Sequence, residues 1–331
     1  MAKPKIFITQ PIAESASQRL KAVMDVEIHP DSRRPISKND LIKGVSRNDY
    51  LFIRLSDTVD AEIMDSNLNL KLIATMASTP GAIDVEAANR RKIPLTGRKT
   101  QTIDAIFEEV ADLTFGLMIG VARRFPEAQE VARSGIFPGD QSPYLEGFTV
   151  YTKTLGIVGM GKVGEAVSRR ASGFRMKILY HDVMQFPEIE SRLGVQYVTL
   201  EDLLRESDFV SLHPKLTPET YHMIGEKELS LMKSTSFLIN TSRGSIVDQN
   251  ALIRALQSKK IAGAGLDVFE DERHPLPKEL LDLKNVVLTP HIGSSVIEKR
   301  EIMANAVVDK ILAFVEGKPL PDLLNPEIYE K

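Results

Sequence analysis

The sequence predicts an α/β protein of two lobes, each built on a parallel sheet. Three observations carry that expectation. Short apolar runs alternate with helix-period segments almost from end to end, the pattern of strands joined by crossover helices. At 331 residues the chain is long for one core and of ordinary size for two. A Gly- and Pro-bearing loop over 135–147 separates one series of alternations from a second.

Ile6-Phe7-Ile8 reads as a buried strand, and the apolar run is too short for a secretory signal because Thr9-Gln10-Pro11 follows at once. A helix over 15–24 comes next, with Ala16, Leu20 and Val23 facing inward. Tyr50-Leu51-Phe52-Ile53 and Leu72-Ile73-Ala74 are further buried strands, with helical segments near 37–43 and 61–67. A polar stretch over 96–101 precedes a long helical pattern over 105–123. In the second series Leu155-Gly156-Ile157-Val158 is a strand, 163–171 a helix and Lys177-Ile178-Leu179-Tyr180 a strand. Phe209-Val210-Ser211-Leu212, Phe237-Leu238-Ile239, Ala264-Gly265-Leu266 and Val286-Val287-Leu288 continue it, with helical patterns between several of them. The last long helix, 296–315, comes after that series has closed and is expected to return to the first lobe. That lobe is then discontinuous, 1–104 with 295–331, around a second domain over 105–294.

Composition narrows the function. Hydrophobic residues make up 43% and charged residues 26%, as in soluble globular proteins. A net charge of -3 gives no overall basic field, so no nucleic-acid partner is expected. There is no cysteine, which excludes disulfides, thiolate nucleophiles and cysteine-ligated metals; no metal site is expected. No stretch approaches the roughly 20 apolar residues that cross a bilayer, so the expected location is the cytoplasm.

Gly159-x-Gly161-x-x-Gly164 alone is a weak pattern, but an apolar strand precedes it, a helix follows, and an acid comes about twenty residues on. This is the fingerprint of a Rossmann-like dinucleotide cradle. Gly159 permits the tight turn, Gly161 lets the backbone approach a pyrophosphate, and Gly164 lets helix and strand pack closely. The helix N-terminus supplies N–H groups and positive dipole. The acid is Asp182, which can bind both ribose hydroxyls and would repel a 2′-phosphate. No arginine follows at Val183 or Met184, so NAD is expected rather than NADP.

Arg243, Glu272 and His291 each follow a strand-like run and precede a break, so all three can converge at the carboxyl ends of one sheet. His291 is the natural proton donor, because its ordinary pKa lies near working pH. Glu272 can hydrogen-bond the ring and favour the imidazolium. Arg243 offers a fork of donors that suits a carboxylate and its neighbouring carbonyl oxygen. Asp267 is placed to hold a nicotinamide amide. His29, His181, His213, His222 and His274 lack such partners and are read as structural or peripheral. There is no Gly-x-Ser-x-Gly elbow, no Gly-Lys-Thr/Ser phosphate loop and no His-Glu-x-x-His metal pair.

These residues resemble the D-isomer-specific 2-hydroxyacid dehydrogenases, the family of D-lactate, glyoxylate, hydroxypyruvate, phosphoglycerate, formate and phosphite dehydrogenases. The resemblance spans nearly the whole chain and is densest from Thr154 to Ser295. It runs through Leu216-Thr217-Pro218-Glu219-Thr220, Asn240-Thr241-Ser242-Arg243-Gly244 and Thr289-Pro290-His291-Ile292-Gly293. It implies a substrate (catalytic) domain over 1–104 and 295–331, an NAD-binding domain over 105–294, a cleft between the lobes, and a homodimer formed mainly through the nucleotide lobe. On this resemblance Arg243 binds substrate while Glu272 and His291 form the acid/base pair. The full set of candidate cofactor contacts is Gly159, Met160, Gly161, Lys162, Val163, Gly164, Asp182, His213, Pro214, Thr220, Thr241, Ser242, Arg243, Asp267, His291 and Gly293. Candidate substrate contacts are Ser78, Thr79, Arg243 and His291.

The departures from the family's pattern cluster in the substrate lobe. Ala77-Ser78-Thr79-Pro80-Gly81-Ala82 replaces a glycine-containing loop with an aspartate, so Thr79 stands where a glycine N–H would grip the substrate carboxylate. A longer run, Gly97 to Asp104, replaces an Asn-x-Pro-Gly element. Its Arg98 and Lys99 are expected to be solvated, or else to select a 2-oxo acid with a second anionic end. The expected activity is NAD-dependent interconversion of a 2-oxo acid and a D-2-hydroxy acid of glyoxylate, hydroxypyruvate or sugar-acid type. The alternatives are a dehydrogenase of a non-standard substrate such as phosphite, and an NAD-sensing corepressor-like binding protein. The chain ends soon after its last helix without regulatory tails, which favours the enzyme.

Overall fold

The computed structural model describes residues 3–31, 33–54, 57–77, 79–97, 106–139, 142–272, 274–320 and 322–329. It divides into two compact units, Met1–Ala105 with Val296–Lys331, and Ile106–Ser295. No helix among the described residues is long and apolar enough to cross a membrane.

Among the described residues, the first unit holds a five-stranded parallel sheet. Its strands are β1 (Lys5–Ile8), β2 (Asp25–Ile28), β3 (Tyr50–Ile53), β4 (Leu72–Thr75) and β5 (Leu95–Thr96), in the order β2-β1-β3-β4-β5. Successive residues of a strand point to opposite faces, and here both faces are apolar. Ile6, Ile8, Tyr50, Phe52, Leu72 and Ala74 join one core with helices Glu14–Val23 and Ile297–Val315. Phe7, Leu51, Ile53 and Ile73 join a second core with helices Lys38–Val45, Ala61–Asp65 and Val85–Arg90. Each of those three helices starts at a residue (Ser37, Asp60, Asp84) whose side chain accepts from a backbone N–H of the first turn. One inward residue differs from expectation. Val23 is 40% exposed, and Met24 takes its place inside, because 16, 20 and 24 share one helical face.

The second unit holds a seven-stranded parallel sheet among the described residues. Its strands are β6 (Thr154–Val158), β7 (Lys177–His181), β8 (Gln196–Tyr197), β9 (Phe209–Leu212), β10 (Phe237–Asn240), β11 (Gly263–Leu266) and β12 (Val286–Leu288). Their order is β12-β11-β10-β9-β6-β7-β8. Helices Ile106–Ala122 and Lys162–Gly173 cover one face. Helices Leu200–Glu206, Glu226–Leu231 and Gln249–Gln257 cover the other. The winding reverses between β6 and β9, and it is outside the carboxyl ends of such strands that open α/β sheets bind ligands. Strands β2, β5 and β8 escape sequence reading because they are short or half-exposed. Helix Phe125–Arg133 escapes because it buries none of its residues, so no core stripe marks it.

Candidate active site

The cradle forms where β6 ends. Gly159 turns the chain at φ 91°, a left-handed conformation that glycine adopts without cost, and a Cβ there would lie 2.7 Å from the backbone of His213 and Pro214 at the end of β9. The two strand ends at the reversal are thus in backbone contact. Gly164 packs equally close, since a Cβ would lie 2.2 Å from the carbonyl oxygen of Gly159. Gly161 is the opposite case: a Cβ would meet nothing within 4 Å. That open space lies at the N-terminus of helix Lys162–Gly173, where the first N–H groups lack helical partners, so backbone and dipole are both available to a pyrophosphate.

Asp182 follows β7, and its carboxylate accepts the N–H groups of Met160 (2.7 Å) and Val183 (2.7 Å). It ties the cradle to the end of β7 and keeps lone pairs for further donors. The Met160 side chain itself is buried in the core, so of that residue only the backbone faces the loop. Val163 packs against the same core, while Lys162 is exposed with its ammonium 5.8 Å from the centre of the Phe107 ring.

Arg243, Glu272 and His291 follow β10, β11 and β12, three neighbouring strands. His291 Nδ1 and Glu272 Oε2 are 2.7 Å apart. The hydrogen bond to Glu272 holds the His291 imidazole above its usual range, outweighing burial and the nearby charge of Arg243. Burial opposes the charge on Glu272, but the bond to His291 and the N–H of Phe269 keep its carboxyl below the usual range. His291 sits at φ 54°, an unusual backbone for a residue with a Cβ, and is kept there by bonds from its N–H to the carbonyls of Asp267 and Thr289. Arg243 is exposed and donates to the Ser242 carbonyl at 2.6 Å.

Asp267 does something the sequence reading did not assign to it. Only 1% exposed, it accepts from Thr289 Oγ1 (2.6 Å), Ile292 N (2.8 Å) and Gly293 N (2.8 Å). A buried carboxylate with three donors organises the whole loop that carries His291. Asn240 plays the same part for Arg243, accepting from Ser242 N and Oγ while donating to the Arg243 carbonyl. An asparagine at a strand end, two or three residues before the chemistry, was the available signal, since such side chains close local turns.

Other positions are engaged within the protein. Thr241 Oγ1 pairs with Thr114 Oγ1 at 2.9 Å, and Thr220 Oγ1 closes its own loop onto Lys215 and Thr217. His213 bonds Ser211 Oγ at 2.8 Å, and burial pushes its imidazole down to about 3, so it stays neutral. Two histidines read as partnerless are not. His222 Nε2 lies 2.7 Å from Glu270 Oε1, and His274 Nδ1 lies 2.6 Å from Asp271 Oδ2. Folding brought these pairs together from positions up to 48 residues apart, a distance no local pattern spans. In the first unit Thr79 is exposed on the loop after β4. Ser78, Arg98 and Lys99 lie outside the described residues.

Residues 115–293 match the model of the D-isomer specific 2-hydroxyacid dehydrogenase, NAD binding domain. Over 330 residues the chain is 45% identical to a glyoxylate reductase of Thermococcus litoralis, covering 98% of each. Among solved structures, it is similar to the TT0316 protein of Thermus thermophilus, with a TM-score of 0.81 and 38% identity over 96% of this chain and 99% of that one. It is also similar to the apo form of the D-lactate dehydrogenase of Escherichia coli, with a TM-score of 0.80 and 27% identity over 97% and 99%.

Proposed function

Because the chain belongs to the D-isomer-specific 2-hydroxyacid dehydrogenases, and is thereby an NAD-dependent oxidoreductase, we propose that it reduces glyoxylate and small 2-oxo acids like it to the 2-hydroxy acid. The observation that carries the reading is the His291–Glu272 pair beyond the ends of β12 and β11, with Arg243 beyond the end of the neighbouring β10. Glyoxylate is favoured because the curated relatives, similar over 98% and 99% of the chain, bear that activity in their names.

Arg243 grips the substrate carboxylate and polarises the carbonyl oxygen beside it. Glu272 holds His291 Nδ1, which leaves Nε2 as the nitrogen that gives a proton to the oxygen as it gains charge. Asp267 and Asn240 keep the two loops in register for this. The open space in front of Gly161 and the N–H groups of the helix N-terminus would hold the pyrophosphate of NAD, and Asp182 would take its ribose hydroxyls. When bound in reduced form the cofactor supplies the hydride.

The test is a panel of 2-oxo acids, with phosphite among the alternatives, read by the absorbance of reduced nicotinamide with NADH and NADPH. Glyoxylate is expected to turn over fastest, and NADH to be preferred at least about tenfold in kcat/KM. A 2′-phosphate beside the Asp182 carboxylate costs on the order of 1–3 kcal/mol. Asp182→Ala with Val183→Arg should narrow or invert that ratio. Equal use of both cofactors by the parent would remove Asp182 from this role.

We further propose a homodimer, supported by exposed apolar residues of the second unit. Phe125, Ile136, Phe137, Tyr144, Phe148 and Tyr151 are all exposed and fall within 27 residues of chain, and clustered exposed apolar side chains are a mark of interaction surfaces. A homodimer through this stretch of chain is the proposed state. Light scattering should give twice the 36.8 kDa chain mass, and Phe137→Asp should lower it; a monomeric parent would end the idea.

A further inference from the structure

Each carboxylate of the run Glu270-Asp271-Glu272 has a histidine of its own: His222, His274 and His291 in turn. The third pair is the proposed acid with its partner, and the second is largely exposed. The first is neither at the reacting position nor on the open surface, for both side chains are 30% exposed.

His222 touches two loops at once. Its ring takes Glu270 at 2.7 Å, while its backbone N–H donates to the Ser245 carbonyl at 2.8 Å, two residues beyond Arg243. Ile224 N to Ile246 O and Asp248 N to Ile224 O continue that seam. The two loops also meet directly. A Cβ on Gly244 would lie 1.9 Å from the carbonyl carbon of Phe269, so the Arg243 loop rests on the Phe269–Glu270 peptide. Phe269 N in turn donates to Glu272 Oε1. The short turn 269–272 is therefore pinned by an imidazole at each end, His222 at Glu270 and His291 at Glu272. His222 holds φ 51°, costly for a residue with a Cβ, and its ring is stacked on Tyr221 at 4.0 Å and 15°. Such a backbone persists where its surroundings over-determine it.

We propose that His222 is a positioning residue of the active site, which through its pair with Glu270 clamps the loop bearing Arg243 against the turn bearing Glu272. The proposal rests on the functional reading above. Without the clamp the two loops separate by fractions of an ångström, enough to spoil the alignment of a two-point carboxylate grip and a proton donor.

The test uses the full-length protein with glyoxylate and NADH. His222→Asn keeps a residue that tolerates left-handed backbone but cannot reach Glu270. His222→Gln puts an amide N–H near the place of Nε2. For His222→Asn, kcat/KM is expected to fall about tenfold, shared between a higher KM for glyoxylate and a lower kcat, with NADH Kd by fluorescence titration within about twofold. His222→Gln should recover most of the loss. Adding Glu270→Ala to His222→Asn should cost no more than the worse single change, as two halves of one contact do. Amide exchange should quicken in 240–248 and 267–272 and stay unchanged in 154–164. Parent-like kinetics in His222→Asn, additive losses in the double variant, or NADH binding that falls in step with kcat would each overturn the proposal. A parent inert towards every 2-oxo acid would defeat the functional reading instead, and the exchange pattern would still judge the clamp.

Discussion

Replacing His291 with Ala is expected to lower kcat for 2-oxo acid reduction by roughly 10²–10⁴-fold, with NADH affinity little changed. The ring lies in the loop after β12, and its Nδ1 is committed to Glu272, which leaves Nε2 as the nitrogen to give the proton. Stopped-flow reduction, with a separate titration of NADH, separates chemistry from binding. If His291→Ala kept parent kcat, the proton would have another source. The same pair makes a pH prediction. Glu272 raises the His291 pKa, so the imidazolium persists to higher pH than a free histidine allows. Reduction needs that acid form and should decline as pH rises through the raised pKa, while oxidation of the hydroxy acid needs the neutral ring and should rise over the same range. Glu272→Gln removes the largest cause of the shift, so the declining limb of reduction should move to lower pH. An unmoved limb would take Glu272 out of this role.

Arg243→Lys is the second large effect expected. It keeps one positive charge but loses the planar fork, and with it the simultaneous hold proposed for Arg243 on carboxylate and carbonyl. KM for the oxo acid should rise strongly and kcat should fall too, for a combined loss in kcat/KM of roughly 10²–10³-fold, the scale of removing one donor aimed at developing charge. NADH Kd is the control. Because Asn240 donates to the Arg243 carbonyl and accepts from Ser242, the loop backbone should survive the change, so lost activity would report the side chain and not an unfolded loop. Parent-like kinetics would mark Arg243 as structural.

The parallel sheets were legible because a strand buried on both faces must be apolar along its length. Tyr50–Ile53, Leu72–Thr75 and Phe209–Leu212 are buried at every position, and each could be read directly. The edge strand Asp25–Ile28 carries no such mark, because its first residue is exposed and the other three are only partly buried. The cradle was equally legible, for its glycines answer to backbone needs a few residues apart, and the structure supplies the turn at Gly159, the close packing at Gly164 and the open space at Gly161. Thr241 and Thr220 carry partners that the chain order did not show, since their hydroxyls are bonded to Thr114 and to the Lys215 carbonyl.

By itself the sequence determined what depends on residues near one another in the chain: the alternation of strands and helices, the glycine turn with its acid after the next strand, and the order in which Arg243, Glu272 and His291 arrive. Tertiary structure alone decided that His222 meets Glu270, since the two stand 48 residues apart in the chain. It also decided that Asp267 would be a buried anchor for the His291 loop. A carboxylate's role is set by the donors that folding places around it within about 3 Å, and parallel crossovers bring those donors from distant stretches of chain to the ends of neighbouring strands.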